Sequence, residues 1–279
     1  MVGLKGENRV EVFRKAAERM ASKIASFEGV AGVVFLGGLV RGFADRFSDL
    51  DMTVFLSRED AGLVRRIRGV VSEEEKCFGV EADVMIHVLS DFRRWRWDET
   101  DRWEFSRAEI VYDLKGEIKR VFGEKLRLPK DLWTRRIAVC VEYLKWYACP
   151  PREGVGTVAE CWIERGDLIS AHYCLHYALE LLIRLVYALN REFLAPPKWR
   201  IHYSHNLKWL PEDYKMLVKE AMTIKSVSVR DFNRRLEAIR KLWSNITPKI
   251  KEVTGLEREQ LSKYYIEKVL KQTSVPSNH

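Results

Sequence analysis

The sequence predicts a mixed α/β domain followed by an all-helical bundle. Three observations point there. Residues up to 127 alternate between helical and strand-like apolar patterns, "LRLPKDL" (126–132) breaks the pattern at a proline, and only helical periodicity follows. Pro129 cannot continue a helix. A chain of 279 residues suits two domains, expected here at 1–127 and 128–279.

In residues 7–28, Val10, Phe13, Ala17, Met20, Ile24 and Phe27 recur at steps of three and four. This is the stripe of an amphipathic helix, closed by Gly29 and Gly32. "GVVFLGG" (32–38) reads as a strand ending in glycines, and "LDMTVFLS" (50–57) as a second strand. Residues 59–78 look helical. "GVEADVMIHVLS" (79–90) is a third strand with Glu81, Asp83, Met85 and His87 on one face. "AEIVYDLKGEI" (108–118) reads as a strand or strand-turn. Past the break, helices are expected over 131–148, 157–190 (one or two), 211–225, 228–245 and 255–271, a bundle of about five. Loops are expected at "CPPREGVG" (149–156) and "APPKW" (195–199), and a frayed tail at "QTSVPSNH" (272–279).

Hydrophobic residues at 47% and charged residues at 32% describe a globular chain with a sizeable core, which argues against fibrous or disordered classes. The first residues carry charges and no apolar h-region, so no signal peptide is expected. The longest apolar stretch, "YALELLIRLVYALN" (177–190), contains Glu180 and Arg184 and falls short of the roughly 20 residues of a membrane span. It reads as a buried helix. Five cysteines without a C-x-x-C argue against a disulfide framework or a zinc site, and for a reducing, cytoplasmic setting. The net charge is +8. Residues 200–279 hold 16 Lys/Arg against 9 Asp/Glu, whereas the first 199 hold 32 against 31. That bias favours anionic partners such as nucleotides or RNA, beside the plainer reading of a solvated helical surface.

The chemistry concentrates in "FLGGLVRGFADRFSDLDMTVFL" (35–56). Asp49 and Asp51, two apart at the start of a strand, point to the same face. Two carboxylates side by side repel, and a cation between them relieves the repulsion. Mg²⁺ suits such oxygen ligands together with substrate phosphates. If the third strand lies alongside, Asp83 adds a further carboxylate, with Glu81 on its face. Three converging carboxylates are the layout of two-metal phosphoryl transfer. Glycines after a strand let backbone N–H groups approach a phosphate. Arg41 could clamp a phosphate, and Ser48 could donate to one or cap the turn.

Taken together, "LGGLVRGFADRFSDLDMTVFL" resembles the signature of the DNA polymerase β-type nucleotidyltransferase superfamily: an apolar strand, Gly-Ser or Gly-Gly, nine to thirteen residues, then alternating aspartate and apolar residues. "GG-x2-RG-x5-SDLD" (37–51) resembles its small-molecule and minimal branch, of which the kanamycin and lincosamide nucleotidyltransferases are examples. The resemblance implies a short mixed sheet and a Mg²⁺-dependent transfer of NMP from an NTP, ATP first among candidates, to a hydroxyl of a small molecule. It implies two Mg²⁺ ions, with Asp49, Asp51 and Asp83 as metal-binding catalytic residues and Gly37 and Gly38 cradling the triphosphate. Gly38 departs from the usual serine, leaving only backbone contact there. The helical second domain resembles the HEPN-like substrate-side domain of that branch.

Other features weigh less. "RIHYSH" (200–205) sets Arg200 and His205 at a spacing used by HEPN ribonucleases, although a structural or substrate-contact role is the commoner outcome. His172, His176 and Glu180 recur every four residues, a metal-binding spacing that packing residues also adopt. Glu160, Glu164, Glu180 or Asp83 could serve as general base. "FRRWRWDETDRWEF" (92–105) interleaves arginines with Trp95, Trp97 and Trp103, which suits a domain interface, or a lid or nucleic-acid surface. Two further acceptors fit the sequence: a partner protein, as in a toxin–antitoxin-like or regulatory system, and RNA.

Overall fold

The computed structural model describes residues 4–151 and 154–271. The frayed tail expected at 272–279 and part of the loop at 149–156 lie outside the described residues. The chain divides into two compact units, Gly3–Leu128 and a second from Pro129 onward.

The first unit opens with α1 (Val10–Ala25), whose Phe13, Ala17, Met20 and Ile24 are buried as their spacing requires. Then come β1 (Val30–Phe35), α2 (Gly37–Arg41), β2 (Leu50–Leu56), α3 (Ala61–Phe78), β3 (Ala82–Val88), α4 (Leu89–Arg94), α5 (Glu99–Phe105), β4 (Glu109–Asp113) and α6 (Glu117–Lys125). The strands form one sheet in the order β3-β2-β1-β4. β1 pairs antiparallel with β2 and β4, while β2 and β3 run parallel, so the sheet is short and mixed. The parallel pair needs a crossover, which α3 supplies. Asp60 caps α3 by accepting from the Leu63 N–H at 2.9 Å, and Gly79, at φ +61°, ends it.

β1 is buried along its whole length because both faces of the sheet are covered. Val33, Phe35, Met52 and Val54 pack with α1 and α3. Val34, Leu36 and Phe55 face the opposite way, with Phe92, Trp97, Phe105, Ile118 and Phe122. Glu74 of α3 is fully buried and is neutralised from α1 by Lys23 at 2.8 Å and Arg19 at 3.2 Å.

Three segments differ from expectation. The turn at Gly37-Gly38 is the first part of a one-turn helix. The stretch 92–105 spans the end of α4 and all of α5: Trp97, between them, stacks on Phe105 at 4.6 Å and is 3% exposed, and Trp103 is 6% exposed. Of the three tryptophans singled out in the sequence, Trp97 and Trp103 are therefore buried within the first unit, while Trp95 is 39% exposed. Glu81 precedes β3 and is exposed, with its carbonyl accepting from the Leu50 N–H at 2.9 Å.

The second unit is helical throughout: α7 (Leu132–Tyr147), α8 (Val158–Glu164), α9 (Leu168–Leu189), α10 (Pro197–Ser204), α11 (Tyr214–Met222), α12 (Val229–Thr254), α13 (Arg258–Tyr265) and a π-turn at Ile266–Leu270. α9 is the central helix. Leu175, Leu179, Leu182 and Val186 are inaccessible, and α7, α8, α11 and α12 pack around it. The "APPKW" loop ends earlier than expected because Pro197 starts α10, where a missing N–H costs nothing. α12 runs past the expected stop at 245 to Thr254 with Pro248 inside it. Among the described residues, no helix is long and apolar enough to cross a membrane.

One buried polar pair ties this unit together. Arg235, fully buried, reaches His172 Nδ1 at 2.8 Å and donates through Nε to the Ala221 carbonyl at 2.7 Å. Burial, with the adjacent guanidinium, holds the His172 pKa below 6.5. Folding therefore keeps this imidazole neutral where the unfolded chain would take up a proton. Its contribution to stability is complete above about pH 6.5 and is lost as pH falls below it. The melting temperature is expected to drop by several degrees between about pH 7 and about pH 5, with a shallower drop in His172→Gln. Equal slopes for the two proteins would show that His172 does not drive it.

Candidate active site

The register of the parallel pair builds the site. Asp51 of β2 lies directly beside Asp83 of β3. Alternation along β2 places Asp51 on the face of Thr53 and Phe55, under α4–α6. Asp49 stands just before the strand. One carboxylate oxygen from each of Asp49, Asp51 and Asp83 lies within 4.8 Å of the others. Asp49 and Asp83 are exposed and Asp51 is half-buried, so the cluster opens to solvent. No other such group of His, Cys, Asp and Glu occurs among the described residues. An all-carboxylate set of this kind suits a hard divalent cation.

The glycines meet the carboxylates directly. Gly37 has φ +59°, a left-handed conformation that a side chain disfavours, and a Cβ there would lie 1.7 Å from Asp51 Oδ2. The Leu36 N–H donates to the Asp51 carbonyl at 3.1 Å, which fixes the loop on the strand. The Gly37 N–H donates to Glu104 Oε1 of α5 at 2.9 Å. Beside the acidic cluster, a backbone donor at a strand-to-helix turn therefore already holds an anionic oxygen.

Residues 14–149 match the family model described as a nucleotidyltransferase domain. This stretch of the chain is a nucleotidyltransferase domain. The protein is accordingly a transferase. A nucleotidyltransferase-like protein from Exiguobacterium sibiricum is 11% identical, matched over 86% of this chain and 77% of that one, with a TM-score of 0.41. No curated protein matches the chain.

Within the nucleotidyltransferase domain, the other residues singled out in the sequence fall as follows. The Arg41 guanidinium lies 3.4 Å from the centre of the Trp103 ring, and Nη2 donates to the Trp103 carbonyl at 3.3 Å. It is held against α5. Ser48 caps the loop: its Oγ accepts from the Asp45 N–H at 3.0 Å and donates to Asp45 Oδ1 at 3.2 Å. Glu81 stays outside the carboxylate cluster.

Gly38 is explained by its surroundings. Gly42, at φ +80°, and Phe43 both donate N–H groups to the Gly38 carbonyl, which wraps the chain back over α2. A Cβ on Gly38 would lie 2.4 Å from the Phe43 carbonyl oxygen. The usual serine does not fit this turn. Gly38→Ser is expected to lower the melting temperature by a few degrees and to reduce activity, and an active, equally stable variant would show that the turn adapts.

The remaining expectations concern the second unit. Glu160 is engaged structurally: with Thr157 it forms a capping box on α8, and it pairs with Arg240 at 3.0 Å. Glu180 pairs with Arg184 at 2.8 Å and with Arg200. Glu164 is exposed and in no ion pair among the described residues. Arg200 also donates from Nε to the Ala195 carbonyl at 3.0 Å, and His205 packs edge-on against Tyr214. These are structural contacts. His172 is buried on Arg235 while His176 is exposed, so the two do not converge on a metal.

Sequence reading missed Glu104 on the Gly37 N–H and Asn8, and it singled out Trp103 without its contact under Arg41. Asn8 donates to the Gly42 carbonyl at 3.0 Å and accepts from Ala44 at 3.1 Å, clamping the loop that leads to Asp49. Only tertiary contact links them to the motif. The capping box of Asp98 and Asp101 that starts α5 is the one local signal for the helix carrying Glu104.

Proposed function

We propose that the protein transfers an NMP from a Mg²⁺-bound NTP, ATP first among candidates, to a hydroxyl of a small molecule, releasing pyrophosphate. The convergence of Asp49, Asp51 and Asp83 carries this reading. Two Mg²⁺ ions would supply charge neutralisation and an activated attacking oxygen. Asp49 and Asp51 would hold both ions, and Asp83 the one nearer the acceptor. The backbone N–H groups of Gly37 and Gly38 would face the triphosphate. The carboxylate of Glu104 marks the first as an anion site, and a phosphate oxygen would take its place there. Arg41 and Ser48 would shape the loop around the nucleotide, with Arg41 reaching a phosphate only by leaving Trp103. Glu164 is the candidate base of the second unit that no ion pair among the described residues occupies, and Asp83 is the alternative within the cluster. A HEPN-like role for the helical unit would be acceptor binding, in a cytoplasmic setting that fits five free cysteines.

The test uses each NTP labelled at the α-phosphate, with Mg²⁺ or with EDTA, a panel of hydroxylated small molecules and a cell lysate. Label on a small molecule, with equimolar pyrophosphate and only in the presence of Mg²⁺, is the expected result. Label on a protein band or on RNA would redirect the acceptor. No Mg²⁺-dependent transfer to any of them would overturn the reading.

A further inference from the structure

The helical unit contains a cavity of about 1010 Å³, formed wholly by residues beyond Pro129 and bounded by α8, α12 and the start of α13. Its volume reaches the upper end of small-ligand sites. We propose that it binds a small organic oxyanion, a carboxylate or phosphate carried on a hydroxylated body. The observation that carries this is Arg258. Its Nη2 is buried and, among the described residues, has no hydrogen-bond partner and its guanidinium no carboxylate; it lies 5.3 Å from the centre of the Trp243 ring and its charge reaches Cys149. A buried N–H group left without an acceptor on a half-exposed guanidinium is costly, and an oxyanion entering from the cavity matches its forked geometry. The second arginine in the wall, Arg240, is committed to Glu160 and to the Ala148 carbonyl at 3.0 Å each. The two arginines therefore do not share one role: Arg240 frames the cavity and Arg258 is the open cation.

The neighbouring groups fit the body of such a ligand. Asn233 and Ser244 line the same wall and are exposed, offering an amide and a hydroxyl. Pro248, one turn after Ser244, has no N–H to give the Ser244 carbonyl, which leaves an acceptor for a ligand hydroxyl. Cys149 also lines the cavity, but it is 2% exposed and burial pushes its thiol up to about 12. It stays protonated at neutral pH, so the cavity offers binding rather than thiol chemistry.

The proposal is independent of the nucleotidyltransferase mechanism, and the test separates them. Titration calorimetry on the full chain in EDTA, with inorganic phosphate and citrate as probes, keeps metal away from the aspartates. Saturable binding of at least one probe is expected. Arg258→Gln should weaken it by about tenfold or more, and Asp51→Asn should leave it unchanged. Ser244→Glu, at an exposed position, places a like charge at the wall and should also weaken it, which keeps the test decisive if Arg258→Gln folds poorly. Phosphate binding without citrate binding would assign a phosphate ligand, and the reverse a carboxylate. No saturable binding of either, or affinity unchanged in both cavity variants, would overturn the proposal.

Discussion

Asp51→Asn is expected to reduce Mg²⁺-dependent nucleotidyl transfer by more than about 100-fold, because even outer-shell metal partners are worth 10–100-fold. Asp51 is the half-buried member of the trio and the one in register with Asp83. Asparagine keeps the shape and removes the charge. The fold should survive, since the substitution also removes repulsion between carboxylates whose oxygens lie within 4.8 Å. Two measurements separate a chemical from a structural effect. The metal-free melting temperature should stay level or rise, while the stabilisation by added Mg²⁺ should largely vanish. Transfer within a few-fold of the unsubstituted protein would remove Asp51 from the mechanism.

Gly37→Ala should be nearly as damaging by another route. Left-handed backbone costs a non-glycine residue roughly 1–2 kcal/mol. The new methyl would also fall 1.7 Å from Asp51 Oδ2 and 2.5 Å from its Cγ. The carboxylate must swing away or the loop must lift, and lifting strains the Gly37 bond to Glu104. Unlike Asp51→Asn, this variant should lose several degrees of metal-free melting temperature as well as most of its activity. A stable, active Gly37→Ala protein would mean that the loop does not need this close approach.

The contrast between these two positions shows what was legible in the sequence. The aspartates were readable because a strand's period of two is local: residues 49 and 51 must share a face whatever surrounds them. Asp83 was readable once β3 was placed beside β2, which an α/β alternation invites. The glycines were readable as a turn, but the clash that excludes serine at position 38 depends on the Phe43 carbonyl folding back. In residues 92–105 the sequence did not tell the exposed Arg93, Arg94, Trp95 and Arg96 from the buried Phe92, Trp97, Trp103 and Phe105. The burial of Phe92, Trp97 and Phe105 follows from a sheet face that needed covering, which no window of sequence displays. The helix expected to stop at 245 continues through Pro248, since α12 packs through Ile246 and Ile250 on both sides of it and tertiary contacts carry the helix on.

The parallel pairing of β2 with β3 has a consequence for how the protein matures. Asp51 and Asp83 meet only after α3 has crossed over and the two strands have locked in register, and a slip of one residue would turn Asp83 to the opposite face. The acidic cluster is thus absent from every form of the sheet in which β2 and β3 have not yet paired. Affinity for a divalent cation can therefore report the closing of the β2–β3 pair separately from the longer-range pairing of β1 with β4.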